Sequence, residues 1–474
     1  MGYGATSVLL FVVATVVALV ARRVRVPYTV ALVVAGLALG ATHVLDAPPL
    51  TKELLFTLFL PGLLFEAAFH LEVHEFRRDA VTLAALAVPG VVAAMALIVV
   101  ALVPAMRLLG VPPAVAAGLG PHAVLLFAAL ISATDPVAVV ALFRTLAAPR
   151  RLSVLVEGES LLNDGTAIIF FTLALGTLSG PVAPGGLVLD FLYVVGAGVV
   201  LGAAAGAAGA ALIRRVDEPT VEIMVTTIVA YGSFVAADAL HASGVIATVT
   251  AGMLGGSRAA RRALSAPARV AVVTFWEYVA FALNSVVFLL IGLLVRLPAL
   301  VASWRAIVAA YLVVTASRAV VTWALAAVLP RRLRLPRAWT PLLAWGGLRG
   351  ALSMVLALAI PAMVGDAHGD TRALLVTVTF GVVILSILVQ GLTIGPALRW
   401  LGVTSEHAAD SPWAAARHAL VAAHATLQEL ERTPHEHGGS PAERRALAEQ
   451  AAVHVQEAMT AIAAAEERAD PETA

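Results

Sequence analysis

The residues best suited to chemistry lie in the segment VEGESLLNDGT, positions 156–166, inside an otherwise apolar stretch. On a helix, Glu159 precedes Asn163 by one turn and Ser160 precedes Asp164 by one turn, so the four polar side chains would share one face. Acidic residues inside a membrane-spanning helix face the protein interior or a water-filled cavity, and by default they mark an ion or proton path. The alternative is that these side chains only join helices by hydrogen bonds.

The composition indicates that this face lies in a membrane protein. Of 474 residues, 60% are hydrophobic and only 13% are charged, with a mean hydropathy of +0.93, which is unlike a soluble globular domain. We therefore expect an all-α polytopic membrane protein. The chain has no cysteine, which excludes disulfides, thiolate metal sites and cysteine nucleophiles. The first apolar stretch lacks a preceding basic segment and is predicted to span the membrane rather than to act as a signal peptide.

Thirteen stretches approach the roughly 20 apolar residues that a spanning helix needs. Their approximate bounds are 5–21, 27–43, 52–70, 80–104, 122–144, 152–179, 186–213, 220–240, 243–256, 270–294, 303–328, 338–363 and 371–401. Arginines concentrate in every other loop, which agrees with this count and predicts a protein of the cell membrane with its N-terminus outside and its C-terminus in the cytoplasm. The Gly/Ala-rich run at 196–211 predicts a closely packed helix face.

The fifth predicted span contains a helix breaker. Its segment ISATDPVAVV places Thr134, Asp135 and Pro136 near the middle of the apolar stretch. Proline lacks an N–H, so the carbonyl of Ser132 should lose its helical partner and the helix should open there. An open helix at this depth survives only where it lines a cavity or packs in protein. Taken alone, this segment is equally typical of a proline kink capped by its own Thr and Asp.

The twelfth predicted span has the same feature. Its segment WGGLRGALSM contains Gly346, Gly347, Arg349 and Gly350, which predicts a second interruption. If the seventh span links spans 1–6 to spans 8–13, each break lies in the fifth span of its set of six. The pattern predicts two inverted six-helix repeats, at about 5–179 and 220–401, whose broken helices cross at a central site.

These elements together predict a site for a monovalent cation and a proton. Burial disfavours the charged form of Asp164, so that a proton and a cation would compete for its carboxylate. Asp135, Thr134 and Ser160 would add oxygen ligands, and Asn163 would hold the broken helix against the sixth span. A site that is either protonated or cation-loaded when it crosses the membrane is that of an exchanger.

Three further charged residues are predicted inside spans. Glu159 and Arg318 are expected to form a buried structural ion pair, because an uncompensated arginine in a span is very costly. Glu66 in the third span is predicted to be a secondary gating or proton-access group, with a helix-packing role as the alternative. We interpret Asp238 and Asn284 as interhelix hydrogen-bonding residues or part of an external funnel, rather than as ligands.

Residues 404–474 form a second predicted domain beside the transmembrane domain at 1–403. Trp413, Leu420 and Leu427 recur at heptad spacing, and a second apolar helical face follows the segment TPHEHGGSP. This pattern predicts a cytosolic helical hairpin. The tail is acidic, which argues against binding to nucleic acid or anionic lipid. Pairing with a second copy, regulation of the membrane domain, or neither, all remain open.

On these motifs the chain resembles the monovalent cation/proton antiporters, in particular the NhaP-type sodium/proton antiporters that are related to animal sodium/hydrogen exchangers. The matching segments are ATDP at 133–136, ESLLNDG at 159–165, TASRAVVTW around Arg318, and GGLRGA at 346–351. The resemblance covers residues 1 to about 403. It implies a homodimer in which a core bundle moves like an elevator against a dimerisation bundle.

The resemblance also implies roles for single residues. It assigns ion binding to Asp164 together with Asp135, Thr134 and Ser160. Asn163, directly before the aspartate, is typical of relatives with electroneutral one-for-one exchange. The pair of Glu159 and Arg318 matches a salt bridge of the family.

We therefore expect a membrane antiporter that exchanges Na⁺, or Li⁺, for H⁺ without a cofactor and serves sodium and pH homeostasis. K⁺/H⁺ antiport is an alternative, since the same oxygen ligands accept both cations. An ion channel would need a continuous polar pore, and an organic-anion carrier would present unpaired Arg or Lys. An enzyme is not expected, because no nucleophile and base pair and no metal-ligand cluster stands out in the sequence.

Overall fold

The computed structural model describes residues 3–24, 27–42, 54–71, 73–146, 148–178, 184–257, 259–260, 264–330, 335–361 and 370–403, and single positions between 419 and 460. The chain divides into two units, residues 1–403 and residues 404–474. The hairpin predicted for the tail lies almost entirely outside the described residues.

Within the first unit, the described residues contain helices and no strands. The helices are α1 (Tyr3–Val24), α2 (Tyr28–Thr42), α3 (Leu60–His70), α4 (Val73–Ala85), α5 (Val91–Leu108), α6 (Pro113–Gly118), α7 (Pro121–Leu130), α8 (Val137–Thr145), α9 (Arg150–Gly176), α10 (Pro184–Ile213), α11 (Pro219–Ala239), α12 (Gly244–Gly255), α13 (Ala266–Leu294), α14 (Leu297–Ala302), α15 (Trp304–Val328), α16 (Trp339–Trp345), α17 (Ala351–Leu358), α18 (Asp370–Leu385) and α19 (Gly391–Trp400). Single π-helical turns occupy Leu55–Phe59, Leu86–Gly90 and Ser386–Gln390.

Six helices in the described part of the chain are long and apolar enough to cross a membrane. They cover Val73–Leu108, Gly185–Ile213, Pro219–Ala239, Ala268–Leu294, Trp304–Val328 and Thr371–Trp400. The other apolar helices are shorter or interrupted. Helix α9 is not among the six, because Glu159, Asp164 and their polar neighbours lower its hydropathy.

Two interruptions bring non-helical backbone into the protein interior. Helix α7 ends at Leu130, and the chain turns through residues 131–136 before α8 begins at Val137. Helix α16 ends at Trp345, and residues 346–350 precede α17. Ser132, Thr134 and Arg349 in these segments are at most 5% exposed. The interrupted backbone is therefore buried in protein, where other groups can satisfy its hydrogen bonds.

The fourth span begins earlier than its sequence predicts. We placed its start near residue 80, because the charged segment HEFRRD resembles a loop, but helix α4 begins at Val73 and continues through a π turn at Pro89 into α5. Asp79 is fully buried in α4. Its carboxylate receives hydrogen bonds from Arg151 Nε at 2.8 Å and Nη2 at 2.5 Å. This ion pair compensates the buried charge and allows the charged segment to be helical.

The helices pack into two groups. The first group consists of α1–α3 and α10–α13, and the second group consists of α4–α9 and α14–α19. Helices contact their own group extensively, for example α2 with α13 and α5 with α15, whereas few contacts join α9 or α17 to the first group. Few helix–helix contacts therefore join the two groups.

Glycines let helices of the first group approach closely. In the Gly/Ala-rich helix α10, Gly198, Gly202 and Gly206 recur at intervals of four and face α12. A Cβ atom on Gly202 would collide with the carbonyl oxygen of Ala247, and one on Gly198 would lie 2.9 Å from the carbonyl oxygen of Ser243. The close helix packing that the sequence predicts for this run is confirmed, and it occurs against α12.

Replacing Gly202 by valine should separate α10 from α12. The new side chain would meet backbone, which cannot move aside as a flexible side chain can, so we expect a loss of about 1–3 kcal/mol in stability. Thermal unfolding of the detergent-solubilised protein measures this loss. Gly196→Val is the matched control, because Gly196 is on the same helix with no atom within 4 Å of its added Cβ. Equal unfolding temperatures for the two variants would contradict the close contact.

Candidate functional site

The two interrupted helices meet at their non-helical segments. The backbone N–H of Asp135 donates to the carbonyl oxygen of Leu348 at 2.8 Å, which joins the two segments directly. Gly350 lies against the Asp135 side chain, and a Cβ atom at this position would collide with it. Glycine at position 350 is thus what allows the two segments to cross so closely.

Arginine side chains satisfy the carbonyls that the interruptions release. Arg349 Nη1 donates to the carbonyls of Ser132 and Ala133 at 3.1 and 3.3 Å, just beyond the C-terminal end of α7. Arg318 donates from Nε and Nη2 to the carbonyl of Leu343 near the end of α16, at 3.2 and 2.8 Å. A cation near a helix C-terminus also opposes the negative end of the helix dipole. An arginine from elsewhere in the chain therefore binds the backbone at the C-terminal end of α7 and of α16.

Glu159 lies against Arg318 as a bidentate ion pair. The distances are 2.8 Å from Nη1 to Oε1 and 3.0 Å from Nη2 to Oε2. The side chains are 4% and 12% exposed, so water screens the pair only weakly. Parallel N–H···O bonds of this kind are among the stronger charge-assisted hydrogen bonds. The pair joins α9, which carries Glu159, to α15 and, through Leu343, to α16.

The polar face of α9 holds the interruption between α7 and α8. Asn163 Nδ2 donates to Thr134 Oγ1 at 3.1 Å and lies 3.3 Å from Glu159 Oε1. The Ser160 hydroxyl donates to the carbonyl of Thr134 through a short hydrogen bond. Two polar side chains of α9 therefore bind to one residue of the open segment, and Asp164 lines the cavity beside them.

Both aspartates of the site retain unused acceptor capacity. Asp135 Oδ1 accepts from the N–H of Val137 at 3.0 Å at the start of α8. Asp164 Oδ1 is buried and has no hydrogen-bond partner among the described residues. A buried, unpaired carboxylate oxygen is costly unless a proton or a cation occupies it.

The aspartates face a cavity between the two helix groups. Its volume is about 130 Å³, which is enough for several water molecules. Thr134, Asp135, Ser160 and Asp164 line it from the second group, and Glu66 lines it from α3 of the first group. Carboxylate, hydroxyl and carbonyl oxygens are the ligands that hard cations prefer. Across the described residues, no group of three His, Cys, Asp or Glu side chains is placed to hold a multivalent metal.

Two more cavity residues were not predicted as part of the site. Glu157 lies two helical turns before Asp164, and this spacing is a signal that could have placed it on the same face. Asn284 of α13 also lines the cavity, although the sequence analysis assigned it to interhelix bonding or an external funnel. Asp238, which had the same assignment, is exposed and does not line the cavity. The Asp79–Arg151 pair was also missed, because Arg151 reads as a loop residue.

Comparisons with known proteins agree with this architecture. Residues 9–400 match the family model described as "Sodium/hydrogen exchanger, transmembrane". The chain is 34% identical over 388 residues to the Na(+)/H(+) antiporter ApNhaP of Aphanothece halophytica, covering 81% of this chain and 71% of that protein. It is 35% identical over 367 residues to the Na(+)/H(+) antiporter NhaP of Pseudomonas aeruginosa, covering 73% and 81% respectively.

The fold is also similar to a solved structure. The sodium proton antiporter MjNhaP1 from Methanocaldococcus jannaschii matches with a TM-score of 0.69 at 19% identity, over 84% of this chain and 98% of that one. The helical membrane fold expected from the sequence, and the resemblance to NhaP-type antiporters, are thereby confirmed. This chain is a multi-pass membrane protein that belongs to the sodium/hydrogen exchanger family.

Proposed function

We propose that this protein is a secondary antiporter that exchanges Na⁺, or Li⁺, for H⁺ across the cell membrane. The single observation that carries the proposal is the buried, unpartnered Oδ1 of Asp164 in a cavity at the crossing of two interrupted helices. The names of the relatives, which are Na⁺/H⁺ antiporters, support the same activity.

The site binds either the cation or the proton. Asp164 supplies the central carboxylate, while Asp135, Thr134 and Ser160 supply further oxygens for the cation. Asn163 positions the open segment and does not bind the cation, because its amide nitrogen is hydrogen-bonded to Thr134 and Glu159. Since one carboxylate exchanges one cation for one proton and Asn163 adds no charge, the exchange is electroneutral. Glu66, on the opposite wall, serves as a gating or proton-access group.

Transport moves the second helix group against the first. The sparse interface between the groups and the cavity inside it support an elevator motion in which α9 and the crossing travel together. The Glu159–Arg318 pair, and the hydrogen bonds of Arg349 and Arg318 to the ends of α7 and α16, hold this moving unit together. The complete membrane domain, residues 1–403, has thirteen spans in two inverted repeats, with the N-terminus outside and the C-terminal tail in the cytoplasm. It acts as a homodimer.

Purified protein in liposomes tests this function. A Na⁺ or Li⁺ pulse should collapse an imposed pH gradient at the same rate with the membrane voltage clamped or free, because no net charge moves. Response to K⁺ alone would assign the protein to K⁺/H⁺ antiport instead. Voltage-dependent collapse would contradict electroneutrality, and folded protein that responds to none of the three cations would contradict antiport.

Asp164→Asn should abolish exchange while leaving the protein folded. The amide is nearly isosteric with the carboxylate but can neither release a proton nor neutralise a cation. The gradient-collapse assay measures the loss, and size-exclusion chromatography checks the fold. Asp190→Asn is the matched control, because Asp190 is exposed on α10 and away from the cavity. An Asp164→Asn variant with normal exchange would remove this residue from the mechanism.

Arg318→Met should lower stability more than it alters cation affinity. The substitution leaves the Glu159 carboxylate buried and unpaired, which costs about 3–5 kcal/mol. Adding Glu159→Gln should recover part of that loss, because the double variant contains no unpaired charge. Thermal unfolding of both variants measures the effect. A stable Arg318→Met protein with a shifted apparent cation affinity would contradict the structural role.

A further inference from the structure

A histidine connects Glu66 of the cavity to an acidic residue near the surface. His70 is the last residue of α3 and lies one turn after Glu66. Its Nδ1 atom is 2.9 Å from the backbone carbonyl of Glu66 and 3.2 Å from the Oε1 atom of that side chain. Because a carbonyl oxygen can only accept, Nδ1 carries a hydrogen atom and donates. The proton that His70 gains or loses is therefore the one on Nε2.

The Nε2 atom points towards a second carboxylate. It lies 4.0 Å from Glu277 Oε1 on α13, and it is buried without a hydrogen-bond partner among the described residues. His70 is 18% exposed and Glu66 is 21% exposed, whereas Glu277 is 57% exposed. The three side chains thus lead from the cavity to the protein surface. A neutral Nε2 would present its lone pair to the Glu277 carboxylate, and only a protonated Nε2 can pair with it.

Charged groups on the neighbouring elements have other partners or positions. Helix α12, which packs on α3, has no titratable side chain. On α11, Glu222 accepts a hydrogen bond from the N–H of Ser265. On α9, Glu159 pairs with Arg318, while Glu157 and Asp164 face the shared cavity. Glu66 and Glu277 are the two carboxylates within 4.0 Å of the imidazole in the described structure.

We propose that His70 is a positioning residue that holds Glu66 in its ionised form in the cavity when the cytoplasm is acidic. In the proposed topology, the end of α3 lies on the cytoplasmic side. Protonation of Nε2 by water places a positive charge beside Glu66 and lets the imidazolium bind Glu277, which also ties α3 to α13. Loss of that proton removes both effects. This inference rests on the proposed antiport and specifies how its site responds to pH.

Three variants separate charge from shape at this position. His70→Asn retains a donor for the Glu66 carbonyl but never becomes positive. His70→Lys carries a positive charge at every relevant pH. Glu277→Gln removes the outer partner and leaves the histidine, and it changes a half-exposed side chain, so it remains informative if substitution of His70 prevents folding.

The first measurement is the pH profile of Na⁺-driven gradient collapse in liposomes. His70→Asn removes the positive charge that pairs with the Glu66 carboxylate at acid pH, so the acid limb of its profile should move to higher pH by roughly one unit. His70→Lys should restore the limb towards its wild-type position. An unchanged profile for His70→Asn would overturn the proposal.

The second measurement is the thermal unfolding temperature across pH 5–8, which does not depend on transport. Protonated His70 has two carboxylate partners in the folded protein, so its stabilisation is present at acid pH and is lost as the pH rises. This step should disappear in His70→Asn and shrink in Glu277→Gln; a step retained in both variants would overturn the pairing. A wild-type protein with the step but without exchange would refute the antiport proposal while supporting the His70–Glu277 pair.

Discussion

Interrupting two helices of a membrane protein leaves backbone carbonyls without partners, and the rest of the site depends on how the chain satisfies them. In a lipid environment each unsatisfied group costs several kcal/mol, which is comparable to the whole free energy of unfolding of a typical protein. Arg349 and Arg318 meet this demand at the ends of α7 and α16. Their donors replace the missing helical N–H groups, and their charges offset the negative helix ends. These two side chains therefore stabilise the interruptions, together with the hydrogen bonds that Ser160 and Asn163 make to Thr134.

Burying Arg318 also requires an acidic residue on the neighbouring helix α9. A buried guanidinium needs a counter-charge, and Glu159 provides it for Arg318 in a bidentate geometry. Ser160, directly after Glu159, and Asn163, one turn further along, bind the open segment at Thr134. Asp164 follows Asn163 and lines the cavity. The same polar face of α9 therefore anchors the crossing and presents to the cavity a buried carboxylate oxygen of Asp164 that has no hydrogen-bond partner among the described residues. The residues with several hydrogen bonds thus flank the one with an unpaired oxygen, which supports the proposed role of Asp164 in binding and releasing a cation.

The packing between helix groups complements this local order. Backbone contact through glycines makes the first group compact, as where Gly202 meets Ala247. Ion pairs reinforce the second group at two levels, with Asp79–Arg151 at the start of α9 and Glu159–Arg318 further along it. The cavity lies between the two helix groups, and Glu66 and Asn284 line it from the first group. A relative movement of the groups would change the surroundings of Asp164 without breaking the hydrogen bonds between Thr134 and its partners Ser160 and Asn163.

The amino-acid sequence alone predicted the features that depend on local chemistry. Composition and apolar runs indicated a helical membrane protein, and Pro136 and the glycines around Arg349 predicted the two interruptions, because these residues act on the backbone within one turn. The spacing of Glu159, Ser160, Asn163 and Asp164 predicted a shared polar face for the same reason, and the four motifs indicated the family.

Contacts between groups that are distant in sequence could be read only from the folded structure. Arg349 reaches carbonyls more than 200 positions away, and His70 faces Glu277 across two helices. Such contacts depend on the rotation and crossing of packed helices, which hydropathy does not encode. For this reason the sequence analysis gave Asp238 and Asn284 the same assignment. In the structure Asp238 is exposed, whereas Asn284 lines the cavity. The charged start of α4 was predicted to be a loop because its pairing partner was not evident from the sequence. In the structure Asp79 pairs with Arg151, and a charge is tolerated inside a protein when it has such a partner.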